Sequence, residues 1–282
     1  MAGRTARRRV TRIWLEGDTV SERADMLAVE EPLGIRIAGQ AVSLTMRTPG
    51  DDVDLAAGFL LTEGIISAAD DIASIRICDG ERCGHDHEAD AADSIGNIAD
   101  VTLRPGLAVR PELRRNFLTS SACGVCGKTS IAELRVPGRI DLFADSCTVA
   151  ADVLAGLPDA LRAAQRVFEH TGGLHAAGVF TADGELLAVR EDVGRHNAVD
   201  KVIGWALQAG RLPLSGCILL VSGRASFELA QKAVLGGLPV LAAVSAPSSL
   251  AVELAEDAGM TLVGFLRGGS MNVYSGAHRI TR

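Results

Sequence analysis

The chain has 282 residues, of which 48% are hydrophobic and 22% are charged, and its formal net charge at pH 7 is −7. This length and composition are typical of one large or two modest soluble domains with a substantial apolar core. The acidic balance argues against broad nucleic-acid binding, which depends on neutralising phosphates. Aromatic residues make up only 4% of the chain, so base stacking on an aromatic platform is not a strong expectation either.

The amino terminus is locally basic, with arginines at positions 4, 7, 8, 9 and 12. Such segments are mostly solvated tails, so residues 1–25 are predicted to form a basic, disordered arm. No apolar stretch of a secretory signal follows the arginines, and the longest uncharged run, 233–252, is interrupted by glycines and prolines. We therefore expect a cytoplasmic protein without membrane spans, in which the six cysteines are thiols or ligands rather than a disulfide framework.

Residues 26–118 predict a smaller β-rich domain. Alternating apolar residues at 33–37 and 41–46 predict a hairpin, and acidic residues before an apolar run predict a helix that ends near Gly64. Further strands are predicted at 72–78 and 97–103. The segment between them, 78–88, holds two cysteines, two histidines and several carboxylates that could chelate a metal, but its spacing matches no familiar zinc module. A surface loop is the favoured interpretation, and no metal site is assigned.

A dithiol loop follows, within a loop and linker predicted over 119–152. Cys123 and Cys126 stand at C-x-x-C spacing among small residues, and Lys128 comes directly after them. Because a nearby cation or the C-x-x-C geometry can lower a cysteine pKa, this pair is a candidate for thiol chemistry. A structural pair, either half of a zinc site or packed in the core, is the alternative. A short helix is predicted over 129–134, and Cys147 is interpreted as a packing residue.

Residues 153–282 alternate between helical and strand patterns. Helices are predicted over 157–170, 196–207, 225–235 and 250–258, and strands over 176–180, 186–189, 217–221, 240–244 and 261–266. This pattern is typical of a layered α/β domain whose helices cover a mixed sheet. A ligand crevice is expected where the strands end.

Three turns rich in glycine and arginine follow strands of this domain, at 191–201, 222–228 and 264–272. Arg195 could bind a phosphate bidentately, helped by the N-terminus of the helix that follows. Asp192 and His196 could form an acid–base or orienting pair. The alternative for the first turn is a capping and salt-bridge cluster that holds the junction together. Arg224 and Arg267 repeat the arrangement, so the three turns together predict a phosphate-bearing ligand, although none is a Walker-type loop.

Four segments together resemble the formate dehydrogenase accessory sulfurtransferase family, FdhD. They are Cys123–Lys128, Asp192–Lys201, Ser222–Arg224 with Glu228, and Gly264–Arg267 with Asn272–Tyr274. The match runs from around residue 30 to the end of the chain. The resemblance implies a cytidine-deaminase-like, three-layer α/β/α C-terminal domain, a smaller β-rich N-terminal domain, and a homodimer.

The resemblance also implies a function and a site. A protein of this family is a sulfur carrier that accepts sulfur from a cysteine desulfurase and hands it to the bis-molybdopterin guanine dinucleotide form of the molybdenum cofactor, before that cofactor enters formate dehydrogenase. The persulfide falls on Cys123, with Cys126 as its partner. The cofactor-binding segment, which a guanine nucleotide such as GDP would share, falls on Phe265, Leu266, Arg267, Gly268, Gly269 and Ser270. The turn residues Asp192, Arg195, His196 and Arg224 join it as candidates.

Three other classes of function use some of the same residues. A thiol–disulfide oxidoreductase would carry the C-x-x-C pair near a βαβ unit, but here the regular alternation begins well after it. A zinc deaminase needs H-x-E followed by P-C-x-x-C, and no proline precedes Cys123. A cofactor-binding chaperone with structural cysteines is the third class.

Overall fold

The computed structural model describes residues 3–78, 96–107 and 140–282. Within these ranges the chain has the mixed α/β architecture that the sequence predicts, with two larger sheets and two small two-stranded ones. The helix predicted over 129–134 lies outside the described residues. None of the described helices has the length and apolar character that a membrane crossing requires.

The amino-terminal arm is an ordered ribbon, and the prediction of disorder is wrong for it. Strands β1 (Thr5–Trp14) and β2 (Thr19–Ala28) pair antiparallel over ten residue pairs, around a tip in which Gly17 and Asp18 have positive φ. The reason is that β1 also contains β-branched and aromatic residues, Thr5, Val10, Thr11, Ile13 and Trp14, which favour a strand. At its base, Arg4 contacts Asp51 at 2.6 Å and accepts a main-chain hydrogen bond from Val29.

The next sheet confirms the predicted hairpin and strands. Its strands are β3 (Glu31–Ile37), β4 (Gln40–Arg47), β5 (Ile72–Cys78) and β6 (Ile98–Leu103), in the order β4-β3-β6-β5. The predicted helix, α1 (Asp52–Thr62), connects β4 to β5 and is confirmed. A two-residue strand, β7 (Val149–Ala150), pairs in parallel with the last strand of the chain, β14 (Ile280–Thr281).

The carboxy-terminal part is built on a six-stranded mixed sheet. Its strands are β8 (His175–Thr181), β9 (Leu186–Asp192), β10 (Cys217–Val221), β11 (Val240–Ala243), β12 (Thr261–Arg267) and β13 (Ser270–Ser275). The order across the sheet is β13-β12-β11-β10-β8-β9, with β10, β11 and β12 parallel. The five predicted strands are confirmed, whereas β13, an edge strand of mostly polar residues, was not predicted.

Five further helices accompany this sheet. They are α2 (Ala151–Ala164), α3 (Arg166–Thr171), α4 (Arg195–Gln208), α5 (Phe227–Leu235) and α6 (Ser249–Ala258). The single helix predicted over 157–170 is two helices that break at Gln165. The carboxylate of Glu191, on β9, accepts the N–H groups of Val167 and Phe168 at 2.9 and 2.8 Å, so a new helix begins there.

Helices lie on both faces of the six-stranded sheet. Ile218 and Leu220 of β10 share an apolar cluster with Leu157 and Leu161 of α2. The alternate residues of the same strand belong to a second cluster, which contains buried residues of α4, α5, α6 and also α1. The core therefore continues across the predicted boundary between the two domains. The likeness to cytidine deaminases stays a prediction.

The helices α1 and α4 approach each other through glycines. A methyl group on Gly58 would overlap the carbonyl oxygen of Asp200, and one on Gly204 would overlap that of Asp54. Next to this contact, Lys232 of α5 binds both carboxylate oxygens of Asp200 at 2.8 and 2.9 Å. Burial disfavours the charged form of Lys232, but Asp200 and Glu63 outweigh that effect and raise its pKa.

A second buried ion pair joins α4 to the last residue of β9, and it is hydrogen-bonded to the residue that follows β4. Nζ of Lys201 lies 2.7 Å from Asp192, and both side chains are completely buried. Lys201 also donates to the carbonyl of Thr48 at 2.8 Å, and Asp192 accepts the N–H of Thr48 at 3.1 Å. These contacts fix the amino-terminal sheet relative to the six-stranded sheet.

The glycine contact gives a test of this packing. We expect Gly204→Ala to lower the free energy of unfolding by about 3 kcal/mol, the upper end of the usual cost of overpacking, because the backbone atoms it meets cannot move aside as a side chain can. The control is Gly156→Ala in α2, where an added methyl meets no atom within 4 Å. That change should raise the free energy of unfolding by about 0.4–1 kcal/mol. Urea denaturation measures both, and equal effects would contradict the close approach of α1 and α4.

Candidate functional site

The sheet topology brings the predicted turns to one edge. Strands β9, β10, β11 and β12 run in the same direction, and β8 runs in the opposite direction. The turns after β9, β10 and β12 therefore share an edge with the first residue of β8, His175. We call this the strand-end edge. Such an edge is where ligands bind in open α/β sheets.

Main-chain hydrogen bonds connect neighbouring turns along the strand-end edge. The N–H of Ser245, after β11, donates to the carbonyl of Gly223, after β10, at 3.3 Å. The N–H of Phe265, on β12, donates to the carbonyl of Ser245 at 3.1 Å. The turns after β10, β11 and β12 are thus held in fixed positions relative to one another.

The segment from Phe265 to Ser270 presents most of its residues outward. Gly268 and Gly269 have φ values of 58° and 73° and form a two-residue connection between β12 and β13, where Arg267 pairs with Ser270. Arg267 is exposed, with its guanidinium 5.6 Å from the ring centroid of Phe265. Leu266 differs from its neighbours, because its side chain is buried in the core beside α2. Its side chain therefore serves packing.

The starts of α4 and α5 carry polar atoms without protein partners. Nε of Arg195 and Oγ of Ser226 are buried and accept or donate no hydrogen bond within the described part of the chain. Buried polar groups in native proteins are normally hydrogen-bonded, so these atoms mark a place where a ligand would complete the bonding. Arg224, in the turn before α5, is exposed.

His196 pairs with a residue that the sequence analysis gave no role. Its Nε2 lies 2.6 Å from Oε2 of Glu228, which is a close ion-pair distance, although the atoms are not aligned as a hydrogen bond. Both side chains are 15% exposed. The signal that could have found Glu228 is its position in the first turn of the helix after the second Gly-Arg turn.

Asp192 is not part of the exposed site, and its predicted pairing with His196 is wrong. It is 0% exposed, and its partners are Lys201, the N–H groups of Thr48 and Gly194, and the Asn197 amide. The alternative, a capping and salt-bridge cluster that holds the junction, describes Asp192. Its carboxylate fixes the turn that presents Arg195.

A cavity of about 520 Å³ opens at the same edge, where the sequence analysis expects a ligand crevice. Its lining includes the first residue after each of three strands, Val193, Ser222 and Val244, together with His175. Burial lowers the pKa of His175, and the charges of Arg195 and His196 lower it further, so the imidazole is held neutral. The opposite wall of the cavity is formed by residues of α2 and α3. The shape of this wall therefore depends on the break between the two helices at Gln165.

The described cysteines are unsuited to nucleophilic chemistry. Cys78 is disulfide-bonded, so the expectation that the six cysteines are thiols or ligands is wrong for it. Burial and then Asp145 raise the pKa of Cys147 to about 11, and the same causes raise the pKa of Cys217. Cys147 is buried in the core, which confirms its packing role. The predicted pair Cys123 and Cys126 lies outside the described residues, as do residues 79–88. Among the described residues, no three histidines, cysteines or carboxylates are grouped to hold a metal.

Comparison with known proteins identifies relatives over nearly the whole chain. A protein of Nocardia farcinica named sulfur carrier protein FdhD is 60% identical over 281 residues, which are 99% of this chain and 96% of the relative. One of the same name from Mycolicibacterium paratuberculosis is 61% identical over 98% of both chains. A crystal structure from Desulfotalea psychrophila, named for a formate dehydrogenase accessory protein, shares the fold, with a TM-score of 0.74 at 23% identity over 99% of this chain and 100% of the other. The model of the FdhD/NarQ family matches residues 28–281, and the chain therefore belongs to that family.

Proposed function

We propose that this protein is a sulfur carrier that accepts sulfur from a cysteine desulfurase as a persulfide on Cys123. It then transfers the sulfur to bis-molybdopterin guanine dinucleotide before that cofactor is inserted into formate dehydrogenase. The observation that carries the proposal is the similarity to relatives named sulfur carrier proteins over 98–99% of the chain. The proposal includes the homodimer that the resemblance implies and the cytoplasmic location expected from the sequence, with neither nucleic acid nor a membrane as a partner.

The state of the described cysteines supports Cys123 and Cys126 as the reactive pair. Sulfur transfer needs a thiolate, and a thiol with a pKa of about 11, as in Cys147, is almost wholly protonated near neutral pH. Cys217 is disfavoured by the same burial. The C-x-x-C pair has the sequence environment of a reactive thiol instead, with Lys128 available to stabilise a thiolate.

The proposed steps balance without an external oxidant. The Cys123 thiolate attacks the outer sulfur of the donor persulfide, the donor S–S bond breaks, and the donor cysteine leaves as a thiolate. Cys123 then carries the sulfur as a persulfide. Attack by the Cys126 thiolate on the inner sulfur releases sulfide to the acceptor and leaves a Cys123–Cys126 disulfide, which a cellular dithiol must reduce before the next cycle.

The strand-end edge fits a phosphate-bearing acceptor. Three arginines lie at or just after the ends of strands of one sheet: Arg195, Arg224 and Arg267. A guanidinium group can donate two parallel hydrogen bonds to two oxygens of a phosphate. The main-chain amides of Gly268 and Gly269 lie in an exposed turn, and the unpartnered Nε of Arg195 needs an acceptor. In this proposal these groups bind the nucleotide phosphates, while the Glu228 carboxylate orients His196.

The persulfide site can be tested by intact mass spectrometry after incubation with a cysteine desulfurase and cysteine. We expect the wild-type chain to gain about 32 Da, one sulfur atom, and Cys123→Ala to gain nothing, because burial keeps Cys147 and Cys217 protonated and Cys78 is disulfide-bonded. The matched control is Cys147→Ala, which removes a buried thiol and should gain the sulfur. Full sulfur transfer by Cys123→Ala would contradict the carrier mechanism and favour a cofactor-binding chaperone.

The acceptor site can be tested by calorimetric titration with GDP. We expect Arg195→Ala to weaken binding by about 1.5–3 kcal/mol, the range for a hydrogen bond to a charged group. Arg166→Ala, which removes an exposed arginine of α3, serves as the control and should leave the affinity unchanged. Unchanged affinity in Arg195→Ala would remove this residue from the site.

A further inference from the structure

The outer half of the ribbon formed by β1 and β2 is exposed on both faces. Within the part of the chain that the structure describes, these two strands pair only with each other, and every residue from 13 to 24 is exposed. Each strand has ten residues, so the ribbon is about 34 Å long at about 3.4 Å per residue. A two-stranded ribbon by itself is marginally stable in water. A surface that covered the outer half would therefore stabilise it.

The tip of this ribbon carries large apolar side chains. Ile13 and Val20 are exposed and paired across the two strands, and Leu15, beyond the end of β1, is 95% exposed. Trp14 is exposed as well, and the guanidinium of Arg12 lies 3.7 Å from the centroid of its ring. Exposed apolar groups that lie together mark interaction sites, and Trp and Arg often supply most of the binding energy there. We call these five residues the ribbon tip.

The first strand of the ribbon differs in charge from the rest of the chain. Strand β1 has four arginines and no carboxylate, so it contributes +4 to a chain whose net charge is −7, and the other residues carry −11. Two copies of β1 placed side by side would repel each other, because like charges on neighbouring strands are destabilising. The arginines favour an acidic surface instead, and a second copy of this chain provides one.

One face of α6 is acidic and ends beside an exposed aromatic ring. Glu256 and Asp257 follow Glu253 by three and four residues, so the three exposed carboxylates share a face of the helix. The ring of Phe143 lies against Gly259, the residue after the helix, where an added methyl group would lie 2.6 Å from the ring. Phe143 is 68% exposed. We call Phe143 and these three carboxylates the α6 face.

We propose that the ribbon tip of one copy docks on the α6 face of a second copy, and that the second copy docks its own ribbon tip in return. Trp14 and Leu15 cover the ring of Phe143, while the arginines of β1 face the carboxylates of α6. Arg279, which is buried and donates to the carbonyl of Gly259, offsets only one of the three negative charges. In a two-fold dimer the two contacts are equivalent, so neither ribbon is left uncovered. The inference rests on the homodimer of the proposed function and assigns its interface.

The first test measures the dimer dissociation constant by sedimentation equilibrium. The ribbon variant combines Trp14→Ser with Leu15→Ser, and the face variant combines Phe143→Ser with Glu256→Lys. We expect each to weaken the dimer by about 30-fold or more, the loss caused by truncating a central interface residue. The control is Leu44→Ser, an exposed apolar residue of β4 that belongs to neither surface and should leave the dimer unchanged. Equal dissociation constants for wild type and the ribbon variant would overturn the proposal.

Mixing the two variants separates docking from misfolding. In a one-to-one mixture, the intact ribbon of the face variant meets the intact α6 face of the ribbon variant, so one of the two contacts forms again. The mixture should therefore dimerise more tightly than either variant alone, which damage to the fold of one chain would not produce. A mixture that associates no better than its components overturns the proposal.

The second test maps the contact without disturbing it. Leu15→p-benzoylphenylalanine places a photoreactive side chain at the most exposed position of the ribbon tip. Unlabelled and nitrogen-15-labelled chains are mixed and irradiated, and mass spectrometry distinguishes links between chains from links within one chain. We expect links between chains to residues 141–143 and 253–259. Links only within one chain, or between chains to another surface, overturn the proposal.

These results are separable from the carrier function. The ribbon variant should still gain one sulfur from the desulfurase, because the proposed persulfide thiol is elsewhere in the chain. If this variant stays dimeric but gains no sulfur, the ribbon binds the sulfur donor instead, and the proposal is overturned. If the wild type gains no sulfur while the expected links form, the carrier function fails and the interface stands. If the wild type gains sulfur as a monomer, the homodimer and this interface fail together and the carrier function stands.

Discussion

The buried pair of Lys201 and Asp192 is the contact on which the geometry of this protein depends. Its two charges are 2.7 Å apart and fully removed from solvent, and both also bind the main chain of Thr48. Transferring two charges from water to a protein interior is expensive, so such a pair is weak evidence for stability by itself. What it does here is specify one arrangement: any shift of the end of β4 against β9 and α4 would break the hydrogen bonds that the buried charges make to the main chain of Thr48.

The same ion pair also positions a residue of the strand-end edge. Asp192 is the last residue of β9, and its carboxylate accepts the N–H of Gly194, which immediately precedes the first residue of α4, Arg195. The carboxylate of Asp192 therefore holds the turn that presents Arg195, and the bonds of the same ion pair to Thr48 connect this turn to the end of β4. The glycine contact between α1 and α4 acts on the same helix from its other side. A substitution in α1 that moves α4 would therefore also move Arg195, the first residue of α4.

The sequence was informative wherever local pattern decides the structure. Apolar alternation located the β3–β4 hairpin, and the continuous apolar run Cys217–Val221 located β10 with its observed ends. Pattern failed where a distant residue decides. The break at Gln165 depends on Glu191, which lies on another strand, and the pairing of β1 with β2 depends on a register that composition does not reveal.

The candidate site shows the same division. The position of the Gly-Arg turns could be predicted from the sequence. Each turn follows a strand, and strands that run in the same direction place the turns after them at one edge of the sheet. The pairing within the turns was not readable. Asp192 and His196 are four residues apart, a spacing that suggests a contact, but Asp192 still belongs to β9 and points inward, where Lys201 neutralises it. His196, at the start of α4, instead meets Glu228 from the next helix.

The charge of the strand-end edge is opposite in sign to that of the whole chain. The chain as a whole is acidic, with a net charge of −7, yet the strand-end edge gathers Arg195, Arg224 and Arg267. A cationic edge on an acidic protein favours anions at that place and disfavours them elsewhere. Nucleotide phosphates and a persulfide are both anions, so the same arginines that would hold the acceptor would also attract the sulfur-bearing group towards it. Burial keeps Cys147 and Cys217 protonated, so neither of these two thiols would be attracted to the arginines as an anion.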